Sequence, residues 1–259
     1  MDSTADIRER ALARQRAAQS AVCDVVERWA HGTIVRATRH PQYHDFNVVR
    51  VEEDPRMSVA QLSAVADVAL AGLAHRRLDF EDAAVGEPLR AELTERGWRS
   101  MRLLWMRHER PAPEQGQIAV KELGYDAVHE LRVASHDEDF PDLDAAGYFA
   151  QAREVAMSRG ARVLAVLRQG RPVAFAQLEH VGDEAEITLV YALPAYRGSG
   201  LGTALMSAAI ADAGNPLDLW ICADDEDRPK HLYERLGFRP VCVTLQFLRL
   251  PATEIDTGG

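Results

Sequence analysis

The residues best suited to chemistry in this chain form a glycine-spaced turn, Arg197-Gly198-Ser199-Gly200-Leu201-Gly202. A β-branched and aromatic run ends at Pro194 before the turn, and helix formers follow it without a breaker until Gly214. A strand that turns directly into a helix points free backbone N–H groups, and the positive end of the helix dipole, at one spot. Glycine suits such a turn because a Cβ would keep an anion away from the backbone. The spacing therefore predicts a pyrophosphate-binding loop, to which Arg197 adds a charge-assisted contact.

Two common phosphate loops do not fit this spacing. A P-loop needs Lys and then Ser or Thr after its last glycine, whereas Thr203 follows Gly202 directly. A dinucleotide fingerprint needs the order GxGxxG, whereas this chain has RGSGLG. The pattern R-G-x-G-x-G indicates another class of anion loop, and a glycine-rich turn without a ligand is the alternative.

A second motif, LYERLGF at 232–238, follows the loop by about thirty residues. Together the two motifs resemble the GNAT superfamily of N-acetyltransferases, whose Q/R-x-x-G-x-G/A loop holds the pyrophosphate of acetyl-CoA. The resemblance covers 117–250 well and 33–108 weakly. It implies an α+β fold of two GNAT-like α/β domains, each a mixed central sheet flanked by helices. It also implies acetyl transfer from acetyl-CoA to a primary amine of a small molecule or protein, without a metal.

The resemblance assigns the cofactor contacts mainly to backbone groups. The strand before the loop pairs with the pantetheine arm in this superfamily, and the loop and first helical turn hold the pyrophosphate. The positions concerned in this chain are Val190, Tyr191, Ala192, Arg197, Gly198, Ser199, Gly200, Leu201, Gly202 and Thr203.

Two catalytic roles follow from the same resemblance. Tyr233 occupies the place of a tyrosine that protonates the departing thiolate, which is general-acid chemistry. The attacking amine must first lose a proton, and Glu186 matches the place of a base, with Glu179 and Glu184 as rivals. The alternatives are a tyrosine that only packs on its helix and carboxylates that lie on the surface.

The chain departs from the superfamily pattern before the second motif. Glu226 stands where an Asn usually contacts the cofactor arm, and Pro229 stands where an Ala is usual. Pro is tolerated in a first helical turn, so Pro229 is expected to begin the helix. The segment 136–144, which often walls the acceptor site in this superfamily, carries five carboxylates. These carboxylates either recruit a cationic acceptor or form a solvated acidic loop.

Composition limits the location and the partners. The 259-residue chain has no apolar run of about eighteen residues and no N-terminal signal pattern. The sequence is therefore expected neither to span a membrane nor to be secreted. Its three cysteines are odd in number and widely spaced, and no Cys/His cluster has zinc spacing, which favours a reducing, cytoplasmic compartment. Residues 1–112 carry 17 basic and 17 acidic side chains, so the net charge of −10 lies in the rest. This charge disfavours nucleic acid and favours a cationic amine, and it leaves a homodimer open.

The chain divides at a proline-rich linker, 110–116. We predict a degenerate GNAT-like domain over 1–112 and a GNAT domain that binds acetyl-CoA over 117–253. The first half is expected to begin with a helix over 4–31. Its AELTERGW stretch resembles a decayed LYERLGF, and the segment 79–86, with three carboxylates, stands in the place of a cofactor loop.

Two alternatives to N-acetyl transfer stay open. A CoA- or acyl-CoA-binding regulatory or scaffold protein would keep the loop and lack transfer chemistry. An enzyme with a longer acyl or aminoacyl donor would differ only in the pocket beyond the thioester. The first half would then serve as a dimer surface or as a lid over the acceptor.

Overall fold

The computed structural model describes residues 3–111, 116–140 and 145–250, and within them the strands form one eleven-stranded sheet. The first half contributes β1 (Val25–Trp29), β2 (Gly32–Arg36), β3 (Asn47–Val51), β4 (Arg76–Phe80) and β5 (Arg99–His108). The second half contributes β6 (Lys121–Leu123), β7 (Arg162–Arg168), β8 (Arg171–Val181), β9 (Glu184–Ala192), β10 (Asp218–Asp224) and β11 (Phe238–Arg249). The α-helices are α1 (Thr4–Ser20), α2 (Val59–Ala69), α3 (Ala83–Gly86), α4 (Arg90–Glu95), α5 (His129–Asp139), α6 (Ala146–Ser158), α7 (Leu201–Asp212) and α8 (Pro229–Arg235).

The two halves exchange strands. The sheet runs β1-β2-β3-β4-β11-β5-β10-β9-β8-β7-β6. The last strand of the chain, β11, lies between β4 and β5 of the first half, while β5 lies between β11 and β10. Each half therefore completes the sheet of the other. The predicted linker, 110–116, separates the halves in sequence, and its residues 112–115 lie outside the described ones.

Two helical crossovers break the antiparallel pattern of the described strands. The helix α7 joins β9 to the parallel neighbour β10, and α2 joins β3 to the parallel neighbour β4. A helix is the usual connection between parallel neighbours because the chain must return to the same end of the sheet. These two crossovers are the matching parts of the two halves.

The sheet buries a different set of side chains on each face. On one face, α7 and α8 pack their apolar side chains on residues such as Ile187 and Ile221, and α2 packs on Val49 and Leu78. On the other face, α1 packs Ala11 against tryptophans of the central strands. The polar side chains that line a cavity, described below, also lie on this second face.

Two predictions from the sequence are wrong. The predicted helix over 4–31 ends at Ser20, and residues 25–29 form β1 instead. The β-branched pair Val25 and Val26 extends there and pairs antiparallel with β2, so tertiary pairing overrides the helical periodicity. The first-half counterpart of the glycine loop is also not 79–86, because α2 follows β3 rather than β4. The counterpart is 52–58, which holds Glu52, Glu53 and Asp54.

Candidate active site

The glycine turn has an open helix end. A short 3₁₀ turn, Pro194–Tyr196, leads into Gly198 and Gly200, whose φ angles are 77° and 84°. The Ala204 N–H donates to the Gly200 carbonyl at 3.1 Å, so the N–H groups of 201–203 lie in the first turn of α7, where an α-helix offers no carbonyl. The residue before the helix, Gly200, has no side chain that caps these donors. This end of α7 can therefore accept an anion.

The glycines of the turn serve two different needs. A Cβ added at Gly198 would meet no heavy atom within 4 Å, so the space in front of this residue is open. A Cβ at Gly202 would lie 3.0 Å from Leu232 Cδ2, so this glycine lets α7 pack closely on α8. The first glycine leaves room for a ligand, and the third one positions the second motif beside the loop.

The strands β9 and β10 separate directly before the turn. They pair over four positions, from Glu184–Asp218 to Ile187–Ile221, and β9 then continues to Ala192 without β10. A bulge in the β8–β9 pairing falls at the point of separation and leaves Thr188 without a partner on β8. The resulting wedge exposes the backbone of 188–192, which includes Val190, Tyr191 and Ala192. A linear amide-bearing ligand can pair with this backbone as a strand would.

The guanidinium of Arg197 is held on the protein itself. It donates to both oxygens of Glu138 on α5, at 2.8 and 2.7 Å, and to the Ala192 carbonyl at 3.0 Å. The Tyr191 hydroxyl also donates to Glu138, at 2.6 Å, and with Arg197 it lowers the pKa of this carboxyl. The contact of Arg197 with a pyrophosphate stays a prediction.

Tyr233 is buried on α8, next to the glycine turn. It belongs to the same apolar cluster as Leu201 and Leu205 of α7, and its ring lies 6.3 Å from that of Phe238. Its hydroxyl has no hydrogen-bond partner among the described residues, and burial raises its pKa to about 12. The hydroxyl thus keeps its proton at neutral pH, as a general acid must.

The two carboxylates on the second face of the sheet are buried and paired. Glu186 on β9 accepts from Arg14 Nε of α1 at 3.2 Å, and burial raises its pKa against the pull of Arg14. Its cross-strand neighbour Glu179 on β8 lies 2.7 Å from Arg159 Nη2. They are 9% and 4% exposed, so neither is the surface carboxylate of the alternative interpretation. Glu184 is the first residue of β9, two positions before Glu186, and burial also raises its pKa.

A cavity of about 440 Å³ lies on this face and is built by both halves. The floor of the cavity is lined by Glu179, Glu186 and Thr188 of β8 and β9 and by Cys222 of β10. The first half supplies a wall whose side chains are Tyr43, Asp45, Phe46, Arg77, Met101, Leu103 and Trp105. The cavity therefore meets the wedge at the strand that carries Thr188.

Several residues of this site are not apparent from the sequence motifs. Arg14 lies in α1 between Ala11 and Ala18, on the helix stripe that packs on the sheet. The sequence contains one signal for Arg14, which is a charged residue on an apolar helix stripe. A charged side chain is buried in such a place only when it is paired. The wall residues of the first half gave no comparable signal, since their proximity depends on the exchange of β5 and β11.

The segment before the second motif is fixed by the first half. Glu226 accepts two hydrogen bonds of 2.6 Å from Arg90 of α4, and Asp225 pairs with Arg102 of β5 at 3.2 Å. Pro229 begins α8, as predicted. In the acidic segment 136–144, residues 136–139 end α5, and 141–144 lie outside the described residues.

Comparison with known proteins assigns this geometry to a family. Residues 125–238 match the model of the acetyltransferase (GNAT) family. The chain carries a GNAT acetyltransferase domain. It is accordingly a transferase, and its α+β fold with a mixed sheet flanked by helices is GNAT-like. The match includes the wedge, the glycine turn and Tyr233.

Solved structures share the fold over nearly the whole chain. A GCN5-related N-acetyltransferase from Kribbella flavida is 16% identical, with a TM-score of 0.58 and 96% of each chain covered. A functionally unknown conserved protein from Staphylococcus epidermidis is 15% identical, with a TM-score of 0.66, and the alignment covers 88% of this chain and 94% of that one. No curated protein matches the chain.

Two features are absent from residues 3–111, 116–140 and 145–250. No group of three or more His, Cys, Asp or Glu side chains in that part of the chain could hold a metal ion. No helix in the same part is long and apolar enough to cross a membrane.

Proposed function

We propose that the chain transfers the acetyl group of acetyl-CoA to a primary amine in a ternary complex. The observation that supports this proposal is the coincidence of two features at one end of β9. The strand separates from β10 there, and it leads into a helix whose first N–H groups have no cap. An extended arm and a diphosphate need these two features at this spacing.

The residues present suit acetyl-CoA. The backbone of 188–192 would pair with the pantetheine arm, and the N–H groups of 198–203 would hold the pyrophosphate. The thioester supplies an activated acyl group, and alignment of the two reactants contributes much of the rate. The buried phenol of Tyr233 would give its proton to the departing thiolate. Glu186, or Glu179 beside it, would take the proton of the amine directly or through a water molecule.

The order of elements also leads us to propose a tandem arrangement. Both halves contain a parallel crossover followed by one or more short helices and a long strand, and only the second half matches the family model. We assign a degenerate GNAT-like domain to 1–112 and the cofactor-binding domain to 117–253. The first half would act as a wall of the acceptor cavity. The three free cysteines agree with a cytoplasmic location.

Calorimetric titration of acetyl-CoA tests the proposed cofactor site. Native protein should bind with micromolar affinity, and Gly200→Glu should abolish binding because a carboxylate would stand where the pyrophosphate lies. Gly214→Glu is the matched control. It adds the same charge at a glycine of similar φ, 74°, just past the other end of α7, with open space around it. Equal binding by native protein and Gly200→Glu would contradict the proposal.

A binding protein without transfer chemistry is the second candidate, and the Arg14–Glu186 pair favours it. The buried guanidinium of Arg14 occupies the carboxylate that would otherwise accept the proton of the amine. Release of free CoA thiol in the presence of amines separates the two candidates. Thiol release that depends on an amine supports the enzyme. Tight acetyl-CoA binding without release over a broad amine panel supports the binding protein.

A further inference from the structure

The charges that line the cavity leave one buried cation without a carboxylate. Arg159 pairs with Glu179, and Arg77 pairs with Asp79 at 2.8 Å and with Asp45. Arg132 of α5 also lines the cavity and is 7% exposed, yet no described carboxylate contacts it. Its Nη2 donates to the neutral Gln177 side chain at 2.7 Å.

The surroundings of Arg132 fix its guanidinium in place. The group lies 3.9 Å from the ring centroid of Tyr125 and 4.9 Å from that of Phe175. Its Nε is buried and has no hydrogen-bond partner among the described residues. A buried guanidinium with open donors is unfavourable until an anion pairs with it, and its planar fork suits a carboxylate.

Arg132 lies close to the two carboxylates beside the wedge. Gln177, which Arg132 contacts, donates to Glu179 at 2.7 Å, and Glu179 lies opposite Glu186. Residues two apart on one face of a strand are about 7 Å apart, and cross-strand neighbours are about 5 Å apart. One small molecule can therefore reach both Arg132 and the space above Glu186.

Aromatic side chains form a further part of the cavity wall. Tyr43, Tyr148 and Phe149 all line it, and the Tyr148 ring lies 5.3 Å from Tyr43 and 5.6 Å from Phe149. Such a wall stabilises an apolar body rather than a second charge.

We propose that the acceptor is an amino acid with an apolar side chain, whose carboxylate binds Arg132 and whose amine faces Glu186. This inference deepens the proposed function and rests on it. The acidic character of the second half favours a cationic acceptor at long range. Among the buried side chains that line the cavity the unpaired charge is positive, whereas the lining carboxylate of Asp139 is exposed, so the acceptor carries an anionic group next to its amine.

The anion site is tested without catalysis by calorimetric titration of 3-phenylpropionate, which has the carboxylate and an aromatic body but no amine. Native protein should bind it, and Arg132→Met should bind at least tenfold more weakly. Arg132→Lys, which keeps the charge and loses the fork, should fall between the two. Arg153→Met of α6 is the matched control, because its salt bridge with Asp126 is largely exposed.

Three outcomes would overturn the inference. They are no binding of 3-phenylpropionate by native protein, equal binding by Arg132→Met, and tenfold tighter binding of 2-phenylethylphosphonate. The last result would replace the carboxylate by a phosphate-like group. Acetyl-CoA titration of Arg132→Met, which should match native protein, shows that the variant is folded and keeps this result separate from the cofactor site.

Turnover then tests the acceptor itself. L-Phenylalanine and 2-phenylethylamine differ by the carboxylate alone. Native protein should prefer the amino acid in kcat/KM by at least tenfold, and Arg132→Met should lose this preference. Equal use of both acceptors by native protein would refute the assignment even if acetyl-CoA binds.

Discussion

The crossovers β9–α7–β10 and β3–α2–β4 share one topology, but they differ in how far their parallel strands stay paired. In the second half, β9 leaves β10 after four pairs and extends five residues further. In the first half, β3 stays paired with β4 up to Val51, and the Glu81 N–H then donates to the Val51 carbonyl at 3.0 Å. Only the second half therefore contains a wedge.

The helices that follow β3 and β9 differ in whether a side chain caps their first N–H groups. Ser58 and Gln61 form a capping box at the start of α2, in which each side chain accepts from the backbone N–H of the other residue. The start of α7 has Gly200 in the left-handed region and no side-chain cap. The first half satisfies its helix donors internally, whereas the second half leaves them for a ligand.

The fold alone does not make the site. Paired strands and a capped helix give a stable crossover, and the acidic turn 52–58 would repel a diphosphate as well. Removing the pairing and the cap costs stability locally, and a bound ligand can restore it. The first half instead stabilises the second through β5 and α1.

The largest predicted effect comes from removing the first half. A fragment 114–259 should be insoluble or unfolded, because β10 loses its neighbour β5 and β11 loses both of its neighbours. Solubility and circular-dichroism melting of the fragment measure this. A soluble fragment that melts cooperatively would show that the second half folds alone.

A cut chain supplies the control for the fragment. With a protease site inserted between Pro111 and Gly116, the folded full chain should be cleaved and its two pieces should stay associated in gel filtration. Separation of the pieces would contradict the strand exchange even if the fragment alone is insoluble.

A smaller effect is expected from the helix that covers the second face. Arg14→Met leaves Glu186 buried without its partner, which should lower the free energy of unfolding by about 3 kcal/mol at pH 7. Arg14→Met combined with Glu186→Met should recover most of this loss, since both charges are then absent. Urea unfolding of the three proteins measures the difference. Equal stability of Arg14→Met and native protein would mean that Glu186 takes a proton instead.

The sequence predicted local features of the second half well. The glycine turn and LYERLGF are contiguous in the chain, and each forms where its residues stand. Strands such as β7, at 162–168, were also evident, because alternation and turn residues are local signals. Cavity contacts such as that of Arg14 with Glu186 depend on pairing across 172 positions, which local pattern does not encode.

The same limit explains the errors in the first half. Val25 and Val26 fit a helical stripe, and only their pairing with β2 makes them a strand. The segment 79–86 also leads from a strand into a helix, and only the parallel pairing of β3 with β4 shows that the crossover helix is α2. That pairing joins residues about thirty positions apart, which a local pattern does not encode.

Acid should destabilise the chain partly through the first crossover. His75 precedes β4 and is 1% exposed, its Nε2 donates to the Asn47 carbonyl at 3.2 Å, and burial lowers its pKa to about 3. The unfolded chain binds this proton near pH 6.5, so the contribution is complete above pH 6.5 and is lost as the pH falls toward 3. At pH 5 the loss should be about 2 kcal/mol.

The acid effect is measured by urea unfolding of native protein and His75→Gln at pH 7 and pH 5. The variant should lose less stability than native protein over this interval. At the matching place before β10 the chain has Leu217, which is 71% exposed and does not titrate, so Leu217→Gln is a control with no expected change in pH dependence. Identical pH dependence of native protein and His75→Gln would refute the assignment.

The smallest predicted effects concern the N-terminal ends of α2 and α7. Ser58→Ala removes the cap of α2 and should lower the free energy of unfolding by about 1 kcal/mol, while the affinity for acetyl-CoA stays unchanged. Ser199→Ala in the glycine turn removes only the hydroxyl that donates to the Tyr196 carbonyl at 2.6 Å, and it should alter acetyl-CoA binding more than stability. Unfolding and calorimetry on both variants test the contrast. If Ser58→Ala weakened acetyl-CoA binding as much as Ser199→Ala does, the first crossover would take part in cofactor binding, and the division between a structural and a ligand-binding crossover would fail.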